Sequence, residues 1–125
     1  MPKVSKESAS HVRDFGLAED RTDEFGGYTV SFVTIRQDHD LAPLLKGLPG
    51  DSCQCPHWGY VFKGRLTWRF GDHEEVFEAG DAFYAPPGHA PRAEAGSEFV
   101  QFSPSEELHV SEAAMMENMQ GMQGR

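Results

Sequence analysis

The sequence predicts an all-β protein, an antiparallel β-barrel or jelly roll that is followed by a short C-terminal α-helix. Short segments rich in β-branched and aromatic residues recur between residues 28 and 102, and glycine or proline turns separate them. Strands spaced by about 8–12 residues are typical of a sandwich or barrel rather than of a parallel α/β sheet. Residues 106–120 differ, because they contain alanines and methionines without glycine or proline and therefore favour a helix.

Two segments give the clearest strand signals. The segment 28–36 is dominated by valine, threonine, isoleucine and aromatic side chains, which pack well on a pleated surface. In the segment 65–70, apolar and polar residues alternate with a period of two, so one face should meet a core. Further strands are predicted at 58–62, 75–78, 81–85 and 98–102, whereas the prolines and glycines of 38–50 predict a loop with at most one helical turn.

The length of 125 residues is sufficient for one domain with a core of its own. We expect a flexible N-terminal arm at 1–10, the barrel at 11–104, and a C-terminal helix and tail at 105–125. Barrels of this size can pair through an edge strand, so we expect a homodimer.

The formal net charge is −9, which argues against partners that carry many negative charges. Binding to nucleic acid or to an anionic membrane surface depends on lysine and arginine, so neither partner is expected. The sequence shows no apolar run of about 20 residues, and its first ten residues lack the apolar core of a secretory signal. We therefore expect a cytoplasmic protein, and in a reducing compartment its two cysteines would be free thiols or metal ligands.

Three motifs resemble those of the cupin superfamily of small β-barrels. They are Tyr60-Val-Phe-Lys-Gly64, which is similar to the hairpin of the first cupin motif, Gly80-Asp81, and Pro86-Pro87-Gly88. The resemblance covers about residues 48–103 and is that of a small single-domain bacterial cupin. It implies a cupin barrel, and it implies a metal ion inside that barrel.

The ligand positions depart from the usual cupin pattern, in which two histidines and a glutamate precede a second-motif histidine. By the family's spacing, His57 stands at the glutamate position, and Cys53 and Asp51 stand at the two histidine positions. Pro91 occupies the second-motif position, and the imidazole nearest to it is His89. The resemblance therefore implies a variant first motif.

The residues themselves also indicate a metal site. If the segment 53–57 is extended, Cys53, Cys55 and His57 share a face, although Pro56 can break this alternation. We take Cys53, His57 and His89 as candidate metal ligands. Cys55 and Asp51 are possible additional ligands. Thiolate and imidazole suit one divalent transition metal, with zinc, iron or nickel as the first candidates, and do not suit Mg²⁺ or Ca²⁺.

Each candidate ligand also has a plainer interpretation. A buried cysteine is often only a small apolar side chain of the core. His57 could be hydrogen-bonded inside the barrel, and His89 could cap its mouth. A metal-free barrel with oxidant-sensitive thiols is a third alternative. It would need a lowered thiol pKa, and no lysine or arginine stands beside either cysteine to lower it.

A ligand pocket is predicted next to the metal. Its candidate lining residues are Trp68, Tyr84, Phe99 and Gln101. Aromatic residues on alternating strands are more often part of a plain core, and for Gln101 the outer face of its strand is at least an equal alternative.

The predicted function is that of a small metal-binding cupin that acts on or binds a small organic molecule. The reaction class is open, and no residue is assigned as a general base. The alternative is a non-catalytic metabolite-binding or sensing module, with a structural metal or with none. The sequence shows no phosphate-binding glycine loop, no nucleophile elbow and no His-Glu-x-x-His motif.

Overall fold

A computed structural model describes residues 3–123 of the chain. Ten β-strands precede one α-helix in this part of the chain. The strands are β1 His11–Asp14, β2 Ala18–Phe25, β3 Tyr28–Ile35, β4 His39–Asp40, β5 His57–Lys63, β6 Arg65–Phe70, β7 His73–Glu78, β8 Ala82–Ala85, β9 His89–Ala93 and β10 Glu98–Pro104, and the helix is α1 Ser105–Gln123.

The strands form two antiparallel sheets. One sheet has six strands in the order β1-β2-β3-β10-β5-β8, and the other has four strands in the order β4-β9-β6-β7. Neighbours that are distant in sequence, such as β3 and β10, pair at the centre of the larger sheet, as they do in jelly rolls. The prediction of an all-β antiparallel fold with a C-terminal helix is confirmed.

The main core lies between the two sheets. From the six-stranded sheet, Val61 and Phe83 point inward, and from the four-stranded sheet Leu66 and Trp68 meet them. The period of two predicted for β6 holds in part. Leu66 and Trp68 are buried and Arg65 and Arg69 are exposed, but Thr67 is also buried and Phe70 is half-buried. A side chain such as Leu66, which is 1% exposed, contributes about 1.5–3 kcal/mol by leaving water.

A second apolar cluster joins α1 to the end of the sandwich. It brings Leu45, Cys55 and Ala90 together with Leu108 of the helix. The Asn118 side-chain amide of α1 also donates to the carbonyl oxygens of Leu44 and Lys46, at 2.7 and 2.8 Å. The helix is thus fixed across one open end of the two sheets.

Some expectations differ from the structure. Strands β1 and β2 were not predicted, because β2 has the polar sequence Ala-Glu-Asp-Arg-Thr-Asp-Glu-Phe and takes its place through pairing with β3. The prediction of at most one helical turn in the segment 38–50 is wrong, because a 3-10 turn at Ala42–Leu45 is followed by a second one at Pro49–Asp51. Each turn begins near a proline, which suits a first helical turn.

The predicted division at 1–10, 11–104 and 105–125 stays a prediction, and its ends at 1–2 and 124–125 lie outside the described residues. Within the described part of the chain, no helix is long and apolar enough to cross a membrane.

Candidate metal centre

The three predicted ligands meet where the two sheets approach each other. His57 begins β5 of the six-stranded sheet, and His89 begins β9 of the four-stranded sheet. Cys53 forms a single β-bridge with His89, in which the Cys53 amide donates to the His89 carbonyl at 2.8 Å. The Gly88 amide donates to the Cys53 carbonyl at 2.8 Å, so the backbone fixes the cysteine beside the second histidine.

The side chains of Cys53, His57 and His89 converge on one point. One candidate ligand atom from each residue lies within 4.8 Å of the other two, and all three residues are buried. The Cys53 Sγ lies 3.9 Å from the His57 Nε2, and the two imidazole centroids are 4.8 Å apart. We call these three residues the three-residue cluster.

Both imidazoles are oriented by a hydrogen bond at Nδ1. The His89 Nδ1 donates to the Pro86 carbonyl at 2.6 Å, and the His57 Nδ1 lies 2.7 Å from the Ser103 hydroxyl. A carbonyl oxygen can only accept, so the proton of His89 stands on Nδ1 and its Nε2 keeps a lone pair. Metal-binding histidines are typically held in this way by a partner of the second ring nitrogen.

Burial sets the protonation of the cluster. Burial, and next the neighbouring His89, lower the pKa of His57 to about 3, and burial lowers the pKa of His89 as well. Both rings are therefore neutral near pH 7, which is the form that binds metal. Burial raises the pKa of the Cys53 thiol, although a hydrogen bond to Ser111 opposes the rise. A metal ion would have to displace that thiol proton.

The donor set fits a transition metal. In a tetrahedral zinc site with Zn–S near 2.3 Å and Zn–N near 2.0–2.1 Å, neighbouring ligand atoms are about 3.3–3.6 Å apart. The spacings within the cluster exceed this by about 0.3–1.5 Å, so metal binding requires the ligand atoms to move closer together by that amount. One thiolate and two imidazoles are soft to borderline ligands, so the chemistry of the set suits zinc, iron or nickel.

The two additional candidate ligands lie elsewhere. Cys55 is buried, but its thiol faces the carbonyls of Pro56 at 3.5 Å and Pro104 at 3.9 Å, and it is not among the residues whose ligand atoms converge. Burial raises its pKa to about 12. Asp51 is exposed, and its carboxylate accepts the Gly47 amide at 3.0 Å. The extended segment does not continue from 53 to 57, because residues 54–56 form no strand and the chain bends at Cys55.

A cavity of about 210 Å³ extends from the cluster towards α1. Trp68, Phe99 and Gln101 line it, and the Trp68 ring lies 4.9 Å from that of His89. Tyr84 does not line the cavity, because it lies on the outer face of its sheet and stacks near Trp58 at 5.0 Å. Because Gln101 lines the cavity, its side chain faces inward rather than outward.

Several residues of the site were not anticipated. Ser103 contacts His57, Ser111 of α1 lies with its hydroxyl 3.3 Å from the Cys53 Sγ, and Asp20 of β2 lines the cavity. Arg13 bridges Asp20 and Glu112, and so connects β2 to the helix. A serine or an aspartate in a polar segment carries no local signal of such a role. The place of Asp20 follows from the strand pairing, which sets Asp20 opposite Val33 with its side chain inward.

The same fold occurs in solved structures of low sequence identity. An RmlC-like cupin from Shewanella frigidimarina is 17% identical, with a TM-score of 0.56 over 81% of this chain and 88% of that chain. A protein of unknown function from Rhizobium leguminosarum is 18% identical, with a TM-score of 0.60 over 82% and 94%. An oxalate decarboxylase from B. subtilis is 16% identical, with a TM-score of 0.57 over 81% of this chain and 28% of that one.

No protein-family model and no curated protein matches the sequence. At these identities the structural likeness speaks for the fold and not for an activity. Of the three motifs, Pro86–Gly88 directly precedes His89 in the cluster, whereas Tyr60–Gly64 and Gly80-Asp81 meet at the opposite end of β5. The chain therefore has the fold of the cupin superfamily.

Proposed function

We propose that the protein holds one divalent transition metal ion through the Cys53 Sγ and the imidazoles of His57 and His89. The observation that carries this proposal is the convergence of three buried ligand atoms within 4.8 Å, with both Nδ1 atoms already hydrogen-bonded. Zinc, iron and nickel are the metals whose ligand preferences match the set.

Three protein ligands favour an open site over a closed structural one. A structural zinc ion is normally held by four protein ligands, whereas a catalytic one keeps a position for water or substrate. Cys55 is turned away from the cluster, so it does not supply the fourth ligand. The bound metal would supply Lewis acidity towards a carbonyl or carboxylate group of a small organic molecule.

The residues of the chain have three tasks in this function. Ser103 and the Pro86 carbonyl orient the imidazoles, and Ser111 meets the thiol from the helix side. Trp68 and Phe99 supply apolar walls beside the ligands, which restrict the access of water. We propose on this basis that the protein acts on or binds a small organic molecule at the metal.

A non-catalytic metabolite-binding or sensing role is the second candidate. It is supported by the two carboxylates that line the cavity, Asp20 and Glu112, because both are paired with Arg13 rather than free to act as a general base. The first role needs the metal, whereas the second can operate with a structural metal or with none, so metal binding is tested first.

The test is the metal content of freshly purified protein and of protein incubated with Zn²⁺, Fe²⁺ and Ni²⁺ and then desalted. We expect about one ion per chain for at least one metal, and a loss of most of it in Cys53→Ser, His57→Ala and His89→Ala. Cys55→Ser is the matched control, because it removes a buried thiol outside the cluster. Below about a tenth of an ion per chain for every metal, the proposal is wrong, since ligands of this softness should bind at least one tightly.

A further inference from the structure

The helix α1 brings a second sulfur atom to the side of the three-residue cluster. The Ser111 hydroxyl lies 3.3 Å from the Cys53 Sγ, and Ser111 is only 2% exposed. Met115 follows Ser111 by four residues, so the two Cβ atoms are neighbours on one face of the helix, about 5–6 Å apart. Met115 also packs against the second apolar cluster, which contains Cys53. The face of α1 that meets the thiol therefore carries a thioether as well.

The cavity connects this thioether with the proposed metal ligands. Cys53, His57 and His89 line it together with Met115. A methionine side chain has three rotatable bonds and a polarizable sulfur, so it adapts to irregular surroundings. Met115 is half-buried rather than locked in the core, which leaves its side chain room to adjust.

The four side chains together match a known donor set for copper. Two imidazoles and one thiolate in a trigonal arrangement, with a weak and long axial bond to a methionine sulfur, form the copper sites of blue electron-transfer proteins. Thiolate and thioether ligands also select Cu⁺. Zinc, iron and nickel match the three ligands of the cluster alone, and the thioether extends that match to copper.

The spacing of the thiol and one imidazole suits a trigonal plane. With the bond lengths of zinc, ligand atoms at 120° to one another are about 3.5–3.8 Å apart, against about 3.3–3.6 Å in a tetrahedron. The Cys53 Sγ and the His57 Nε2 are 3.9 Å apart. A trigonal plane therefore requires a smaller inward movement of these two atoms than a tetrahedron does.

The surroundings of the thiol favour a metal centre of low charge. Leu45, Ala90 and Leu108 belong to the same buried cluster as Cys53. Cu⁺ with one thiolate and two neutral imidazoles has no net charge, whereas a divalent ion with the same ligands keeps one positive charge. Because a net charge is costly among apolar side chains, the site stabilises reduced copper.

We propose that the three-residue cluster binds copper and that the Met115 thioether is its weak fourth ligand. The inference rests on the proposed function for the three ligands and adds the fourth. A trigonal set of ligands has two axial positions, so Met115 takes one of them and the other stays open to a small molecule. When bound, copper would supply one-electron chemistry in addition to Lewis acidity.

The test is an anaerobic titration of the metal-free protein with Cu²⁺, followed by visible absorption and electron paramagnetic resonance. We expect about one ion per chain and an intense thiolate-to-copper absorption, which Cys53→Ser abolishes and Cys55→Ser retains. Met115→Leu conserves volume and should shift that absorption, because the axial ligand tunes such a centre. Met119→Leu is the matched control, since Met119 lines the same cavity one helical turn further along α1 and should leave the absorption unchanged.

A second measurement separates ligation from packing. Competition with a Cu⁺ chelator should show about tenfold weaker Cu⁺ binding in Met115→Leu, which is the lower end of what the loss of a partner beside a metal costs. The zinc affinity of the same variant should stay at the wild-type value, because a thioether is a soft ligand that favours Cu⁺. A merely structural role of Met115 would weaken the binding of both metals alike.

Uptake of Cu²⁺ by the wild type without the thiolate absorption would overturn the inference. The same holds if Met115→Leu changes neither the absorption nor the Cu⁺ affinity, or weakens zinc binding as much as copper binding. A change in Gln101→Leu in place of Met115→Leu would also overturn it, since Gln101 lines the cavity and glutamine is another weak axial ligand of copper. Zinc uptake in any of these cases leaves the proposed function intact. Copper uptake with the expected absorption, but without uptake of zinc, iron or nickel, would refute the metals of the proposed function alone.

Discussion

Ser103→Ala should weaken metal binding and folding together, although Ser103 is not itself a ligand. Its hydroxyl lies 2.7 Å from the His57 Nδ1, and both side chains are buried. Removal of the hydroxyl leaves a buried imidazole nitrogen without its partner, which costs about 1–3 kcal/mol in the free energy of unfolding. It also releases the ring orientation, and the loss of such a partner typically lowers metal affinity by about 10–100-fold.

The assay has two readings. Denaturant unfolding of the metal-free protein gives the loss of stability, and competition with a chelator gives the change in zinc affinity. Ser97→Ala is the matched control, because Ser97 is also fully buried and its hydroxyl bonds the Arg65 backbone at the far end of a hairpin. It should lose a similar stability and keep its zinc affinity. Wild-type zinc affinity in Ser103→Ala, or an equal loss of affinity in Ser97→Ala, would refute the role given to the Ser103 hydroxyl.

Three further predictions concern stability. Burial lowers the pKa of His57 to about 3, so below pH 6.5 protonation favours the unfolded chain over the metal-free folded protein. The free energy of unfolding should fall by about 2 kcal/mol from this residue between pH 7 and pH 5, which denaturant unfolding at several pH values measures. Leu66→Ala should lower the free energy of unfolding by about 2–5 kcal/mol, whereas Val76→Ala at an exposed position should change it by less than about 0.5 kcal/mol. Asn118→Ala removes the bonds to Leu44 and Lys46 and should speed hydrogen exchange in α1 without a change in the sheets.

Much of the fold could be predicted from local patterns. The alternation in Arg65–Phe70, the glycine turns and the cupin motifs each depend on near neighbours in sequence, and the structure confirms the strands that they indicated. The polar strand β2 could not be predicted in this way. Its place depends on pairing with β3, and a side chain such as Asp20 becomes inward only once that register is set.

The site shows the same division. Cys53, His57 and His89 could be nominated because the residue types and the family spacing coincide. Their partners could not, since Ser103 and Ser111 follow the ligands by 46 and 58 residues in sequence and meet them only through β10 and α1. Cys55 illustrates the reverse error, because an extended segment would have placed it in the site and the chain instead bends at Cys55.

X-ray absorption at the zinc edge of the zinc-loaded protein tests the metal centre most directly. The cluster predicts one sulfur ligand near 2.3 Å and two nitrogen ligands near 2.0–2.1 Å, with a light atom completing the coordination. Cys53→Ser should remove the sulfur contribution, and Cys55→Ser should leave it in place. A spectrum without sulfur in the wild type, or one that loses its sulfur only in Cys55→Ser, would contradict a metal centre built on Cys53, His57 and His89.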